Sequence, residues 1–255
     1  MQARIVGAVR GVRWLGEGWR LFRAAPLPWL ALSCVYLLGT NLLVLLPFIG
    51  MLIALIIVPP LTVGMMAAAR AASAGRRPEL GMLAEGFRTQ TRSQLALGVV
   101  YLACSMLIFA ATTAADGAGG LRALMSGRAP SAETELQAVL LPLAVLGLLY
   151  LPVFMMFWFS PPLAAWHATG PARALFFSFV ACLMNWRAFL AYGVTAVLVM
   201  VVVPALALLA LRILFPVELK AAAVSFVFPL LLVLMPTLFS SFYASYRDVF
   251  GSEGQ

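Results

Sequence analysis

Residues 27–69 read LPWLALSCVYLLGTNLLVLLPFIGMLIALIIVPPLTVGMMAAA, without one Asp, Glu, Lys, Arg or His. A bilayer core about 30 Å thick is crossed by roughly 20 helical residues, so this run is about twice too long for one span. Pro47 stands near its middle. Proline removes a backbone donor and clashes with the preceding turn, so the run is expected to fold as two spans, 27–46 and 48–69, in a tight hairpin.

The same reading extends outward. Uncharged apolar stretches recur at 95–115, 136–159, 189–211 and 221–243. The expected fold is therefore all-α: a polytopic membrane helical bundle with six transmembrane helices, forming a single integral membrane domain over residues 1–255. Composition agrees, with 64% apolar and only 10% charged residues, where a soluble domain carries about 25% charged. That balance excludes a soluble fold, a disordered chain and a collagen-like fibre. Cys34, Cys104 and Cys182 lie far apart inside apolar stretches, which argues against a disulfide scaffold or a thiolate metal site. The N-terminal arginines are scattered and the apolar run after them is too long for a signal peptide, so no cleavage is expected.

Charge fixes the expected threading. The chain carries a net charge of +8. Arg4, Arg10, Arg13, Arg20 and Arg23 precede the first span, and Arg70, Arg76, Arg77, Arg88 and Arg92 separate the second from the third. Arg173 and Arg187 lie between the fourth and fifth, and Arg247 follows the sixth. The opposite side holds only Arg122, Arg128, Arg212 and Lys220 of the 17 basic residues, and Asp116, Glu133, Glu135 and Glu218 neutralise them. By the positive-inside rule both termini are expected in the cytoplasm of a bacterial inner membrane. The surplus cations then face anionic phospholipid headgroups, and no nucleic acid is needed to explain them.

A threefold internal pattern runs through the chain. Each unit has a segment of interfacial character (4–23, 78–92 and 171–185) followed by a pair of spans. The second span of each pair carries a Pro-x-Leu step: Pro59-Pro60-Leu61, Pro161-Pro162-Leu163 and Pro236-Thr237-Leu238. Each interfacial segment carries an aromatic–Arg pair: Trp19-Arg20, Phe87-Arg88 and Trp186-Arg187. In the first segment Ile5, Ala8, Val9, Val12, Leu15, Trp19 and Phe22 share one side of a helix, opposite Arg10, Arg13, Glu17 and Arg20. Its four glycines weaken it as an isolated helix. In the second, Leu80, Leu83 and Phe87 oppose Glu85, Arg88 and Arg92, with Pro78 placed as a first helical residue. Such helices lie among headgroups with their aromatics inserted. The third is nearly all apolar and too short to span, which fits a buried interfacial helix or a shallow re-entrant one. Arg20, Arg88 and Arg187 are the candidate lipid-headgroup contacts. Pro60, Pro162 and Pro236 are the candidate helix-hinge positions, with a simple bend toward the surface as the bland alternative.

Chemistry is sparse. None of the six spans holds an ionisable Asp, Glu, Lys, Arg or His, whereas ion-coupled transporters place such groups in the membrane. The lone His167 stands beside Trp166 after the fourth span, with no acidic neighbour in sequence, which suits an interfacial role better than acid–base work. Ser, Thr and Asn within the spans are expected to bond between helices. No catalytic residue, cofactor site or metal site is expected, and the protein is not expected to be an enzyme.

Gly18-Trp-Arg-Leu-Phe22, Leu46-Pro-Phe-Ile-Gly50, Phe159-Ser-Pro-Pro-Leu163 and Phe176-Phe-Ser-Phe-Val-Ala-Cys-Leu-Met-Asn-Trp-Arg187 resemble a family of uncharacterised six-span proteobacterial inner-membrane proteins, over nearly the whole chain. More distantly, the layout is similar to the membrane domain attached to some glycerophosphodiester phosphodiesterases, whose soluble catalytic domain is absent here. The resemblance implies a multi-pass inner-membrane location. The expected function is a non-catalytic accessory component that binds lipid or a membrane-protein partner. The alternative is a transporter or channel for a neutral or apolar solute.

Overall fold

A computed structural model describes residues 3–47, 49–116, 119, 136–214 and 219–251, without the side chains of 136–139, 207, 211, 212, 214 and 219–228. Among the described residues the chain is helical, with no strand. Helices α1 (Ala8–Ala24), α2 (Pro26–Val44) and α3 (Gly50–Ser73) come first, and a 3-10 turn (Leu80–Ala84) leads into the short α4 (Glu85–Arg88). Next come α5 (Thr91–Ala115), α6 (Leu136–His167) and α7 (Pro171–Met184). Then α8 (Trp186–Val197) passes through a π-helical turn (Leu198–Val202) into α9 (Val203–Leu214), before α10 (Leu219–Phe250). Six helices are long and apolar enough to cross a membrane: Pro26–Val44, Gly50–Ser73, Thr91–Ala115, Leu140–His167, Trp186–Ala210 and Pro229–Phe250. The loop around Arg122 and Arg128, and Glu133, Glu135 and Glu218, lie outside the described residues, as do the side chains of Arg212 and Lys220.

Each helix boundary has a local cause. Pro26 opens α2 at a position where its missing N–H is not needed. The Trp29 indole N–H donates to the Leu21 carbonyl (3.1 Å) and fastens the α1–α2 corner. Gly50 begins α3 with its Cα against the Leu43 carbonyl, where a Cβ would collide, so the hairpin turn needs glycine there. The π-helical turn precedes Pro204, whose ring excludes the ordinary bond to the carbonyl of Met200.

Packing is concentrated toward one end of the bundle. Trp14, Trp29, Leu32, Met65, Met66, Leu97, Phe159 and Leu163 are fully buried there. The opposite halves of the spans leave Leu42, Leu107, Phe109, Leu148 and Val201 exposed. In water such a surface would aggregate, while in hydrocarbon it needs no cover.

The proline steps are packing points, and glycines make them so. Pro60 leaves the Ile56 carbonyl without its usual donor, and Gly98 of α5 presses against that carbonyl. Gln94 of α5 donates its amide N–H to the Pro161 carbonyl (2.8 Å). The Ser178 hydroxyl of α7 accepts from the Phe159 N–H (2.9 Å) and donates to the Met155 carbonyl (2.7 Å). It thereby stands inside the α6 ladder one turn before Pro161 and Pro162. α7 is therefore a docked helix along α6, with Phe176, Phe177, Leu183 and Met184 turned outward.

Two expectations are corrected. Residues 78–92 do not form one amphipathic helix from Pro78: the chain makes a 3-10 turn, then α4, then breaks at Gln90 (φ 52°) before α5. Gly64 and Gly86 explain it, because each holds this short connection against the α3 backbone, Gly64 at Leu83 and Gly86 at Pro60. In α1, Leu15 and Phe22 face the protein rather than lipid, with Gly11, Trp14 and Gly18 beside them. The helix has three faces rather than two. One is buried in the bundle, one is polar (Arg10, Arg13, Glu17, Arg20), and a third carries the exposed Ile5, Val9, Val12 and Trp19.

Candidate functional site

The interfacial segments and the ends of the proline-containing spans meet at one end of the bundle, and two of the three meetings repeat the same chemistry. Glu17-Gly18-Trp19-Arg20 of α1 corresponds to Glu85-Gly86-Phe87-Arg88 of α4. Gly86 abuts the Pro60 carbonyl, and Gly18 abuts the carbonyl of Thr237, the residue after Pro236. Glu85 accepts from Arg70 (2.9 Å), eleven residues beyond Pro59. Glu17 accepts from Arg247 (2.5 Å), eleven beyond Pro236. The interfacial segment of the second unit thus clasps the first unit's second span, and that of the first clasps the third's. The ring closes between the chain's two ends.

The third unit departs from the pattern. Met184-Asn185 replaces Glu-Gly before Trp186-Arg187. The buried Asn185 accepts from the Val6 N–H (2.8 Å) and donates to the carbonyls of Arg4 (3.0 Å) and Ala181 (2.9 Å). It straps the extended N-terminal segment, whose Arg4 N–H also donates to the Val249 carbonyl (2.9 Å).

Asp248 is the densest node. Its Oδ2 accepts from Arg10 Nε (2.8 Å), from Arg10 Nη2 and from the indole N–H of the fully buried Trp14 (2.7 Å). The hydrogen bond to Asp248 raises the Arg10 guanidinium above its ordinary pKa, so the pair stays charged on the arginine side at any working pH. Across the same end, Arg70 lies over the Trp166 ring (4.4 Å), and the Trp166 N–H donates to Glu85 (2.9 Å). His167 Nε2 pairs with the Tyr246 hydroxyl (2.6 Å), so the lone histidine serves a contact between α6 and α10. Sequence reading did not single out Glu85 or Asp248, because neither has a partner within its own segment.

Arg20, Arg88 and Arg187 all sit exposed at this end, each without an ion pair among the described residues. Arg187 lies over its neighbour Trp186 (5.4 Å). Pro60, Pro162 and Pro236 are buried. Arg20 and Arg88 are two turns of one pseudo-symmetric rim, while Pro60 and Pro236 lie inward of them against Gly86 and Gly18. Among the described residues, no group of three His, Cys, Asp or Glu side chains is placed to hold a metal ion. Ile56, Cys34 and Cys104 complete no nucleophilic arrangement that the structure brings together with a base.

Comparison with known proteins gives one strong similarity. The chain is 37% identical over 261 residues, covering 98% of it and 94% of the relative, to a probable inner membrane protein of Burkholderia thailandensis. No family model matches. No solved structure matches. Nothing in these matches links the chain to glycerophosphodiester phosphodiesterases.

Proposed function

We propose a function from one premise: the chain belongs to the family of inner membrane proteins that includes the Burkholderia thailandensis relative, and it is a multi-pass membrane protein. On that premise it acts without catalysis, as an accessory component whose basic rim gathers anionic phospholipid headgroups and presents the bundle to a membrane-protein partner. One observation carries this reading. Glu17, Glu85 and Asp248 are spent on Arg247, Arg70 and Arg10, while Arg20, Arg88 and Arg187 remain exposed beside an aromatic residue at the corresponding place in each unit. Arginine next to an interfacial aromatic suits phosphate at the membrane surface.

The rim is read as cytoplasmic, since the surplus cations cluster there. Reporter tags near residues 85 and 125 are expected in opposite compartments, with 85 inside. Both in one compartment would sink the threading. For the headgroup role, the variant combining Arg20→Gln, Arg88→Gln and Arg187→Gln is compared with the wild type by mass spectrometry of co-purified lipid. Near an anionic surface each arginine contributes about 1 kcal/mol, so enrichment of anionic over zwitterionic phospholipid should fall by about tenfold or more. Unchanged enrichment in a folded variant rejects the role.

A second reading, passage of a neutral or apolar solute, has one feature in its favour. A cavity of about 120 Å³ lies between Pro59 of α3 and Pro161 of α6, with Tyr101, Tyr150, Trp158 and Phe242 in its wall. Proteoliposome flux that vanishes on Pro162→Ala would carry that reading instead.

A further inference from the structure

The third face of α1 does not simply meet the bilayer. Val12, Leu15, Gly16 and Trp19 form one wall of a groove of about 460 Å³, completed by Val199 and Met200 of the π-helical turn and by Val233 and Leu234 of α10. That volume falls within the range of small-ligand sites, about 300–1,000 Å³. Thr195 and Thr237 are its polar residues, and both hydroxyls are already committed. Thr195 donates to the Ala191 carbonyl (2.8 Å) and Thr237 to the Val233 carbonyl (3.0 Å), each within its own helix. The wall therefore offers no free donor or acceptor to a polar solute, and what it takes must be apolar along its length.

The ends of the groove differ in character. Its far wall belongs to the span Trp186–Ala210, at hydrocarbon depth. One helical turn beyond Trp19 on the same face of α1 stands Arg23, with Arg20 beside it, both exposed and without an ion pair among the described residues. An apolar trough with cations at one rim is complementary to an amphiphile carrying a negative head. Gly16 keeps the trough open: a Cβ there would meet nothing within 4 Å, whereas one at Gly11 or Gly18 would strike backbone. The π-helical turn adds a second, independent feature, since such wide turns recur at functional sites.

We infer that this groove is a binding site for one acyl chain of an anionic phospholipid, whose phosphate is met by Arg20 and Arg23. The inference rests on the lipid-binding reading above and narrows it to one site and one ligand class. It assigns roles to Gly16, Arg23 and the π-helical turn that the headgroup rim does not need.

The test uses the full-length protein in phosphatidylcholine vesicles doped with phosphatidylglycerol bearing a photoreactive acyl chain, with adducts mapped by mass spectrometry. Adducts are expected at Val12, Trp19, Val199, Met200 and Leu234, well above those at Leu107 and Phe109 on the exposed face of α5. Gly16→Leu fills the trough without touching backbone and is favoured by helix propensity. It should abolish the groove adducts while leaving the melting temperature unchanged or higher. Arg23→Gln should lower the yield with the phosphatidylglycerol probe, relative to the matching phosphatidylcholine probe, by about fivefold. Adducts spread evenly over α5 and the groove, or unchanged in Gly16→Leu, overturn the site. If those adducts fail while anionic lipid still co-purifies and depends on Arg88 and Arg187, the groove falls and the rim stands. Groove adducts that follow Gly16 but ignore headgroup charge overturn the anionic half of the assignment.

Discussion

Gly18→Val is expected to destabilise the detergent-solubilised protein by about 3 kcal/mol or more, the upper end of overpacking costs. The reason is what the new side chain would strike. A Cβ at Gly18 collides with the backbone carbonyl of Thr237 and crowds the Ser241 N–H. Backbone inside a packed helix does not move aside as a side-chain tip does, so α1 must lift from α10. Lifting it also separates Glu17 from Arg247 (2.5 Å), and it opens the junction between the chain's two ends. Gly86→Val meets the Pro60 carbonyl in the same way and should behave alike. Gly16→Ala is the control within the same helix. With open space around it, alanine should stabilise by about 0.5–1 kcal/mol through helix propensity alone. Thermal unfolding followed by tryptophan fluorescence separates the two directions. Equal melting temperatures for Gly18→Val and Gly16→Ala would refute the close packing.

Asp248→Ala should release α1 from the bundle while the remaining helices stay folded. The carboxylate takes two donors from Arg10 and one from Trp14. Arg10 is about one-third exposed and can turn to water or lipid phosphate, so its loss is modest. The Trp14 ring is fully buried among Phe189 and Tyr192, and its N–H would be orphaned. An unsatisfied buried donor together with a broken ion pair costs about 2–4 kcal/mol. Asp248→Asn keeps an acceptor for the indole but loses the charge, and should fall between Ala and wild type. Hydrogen exchange gives the reading: α1 amides are expected to exchange much faster in Asp248→Ala, with those of α3 and α6 unchanged. Trypsin cleavage after Arg13 should accelerate in parallel. An α1 as protected as in the wild type would mean that the glycine contacts alone hold it.

The particular residues show how far the linear chain could be read. The six spans were legible because crossing hydrocarbon is a local requirement: each backbone donor and acceptor must be satisfied within its own helix, and about 20 apolar residues in a row record that. The gathering of arginines at one end was legible for a similar reason, since headgroup charge acts on each residue separately. The proline spacing and the aromatic–Arg pairs marked three units. Their partners stayed hidden. Gly11 and Gly18 read as helix weakeners when they are points of contact. Residues 78–92 read as a helix because a heptad-like pattern carries no sign that Gly86 will be pressed onto Pro60.

What the sequence alone determined, then, is everything that follows from a helix and its solvent: fold class, number of crossings and the side on which charge collects. What only the tertiary structure decided is which helix touches which. It alone joins Glu17 to Arg247 and Asp248 to Arg10 and Trp14, across nearly the full length of the chain. It alone turns a third face of α1 into a groove. The physical reason is that in lipid the apolar surface of a helix is at ease against any neighbour, so hydropathy cannot choose partners. The choice falls to short-range fit, a missing Cβ against a carbonyl or a carboxylate within reach of two donors, and that fit exists only once the helices are in place.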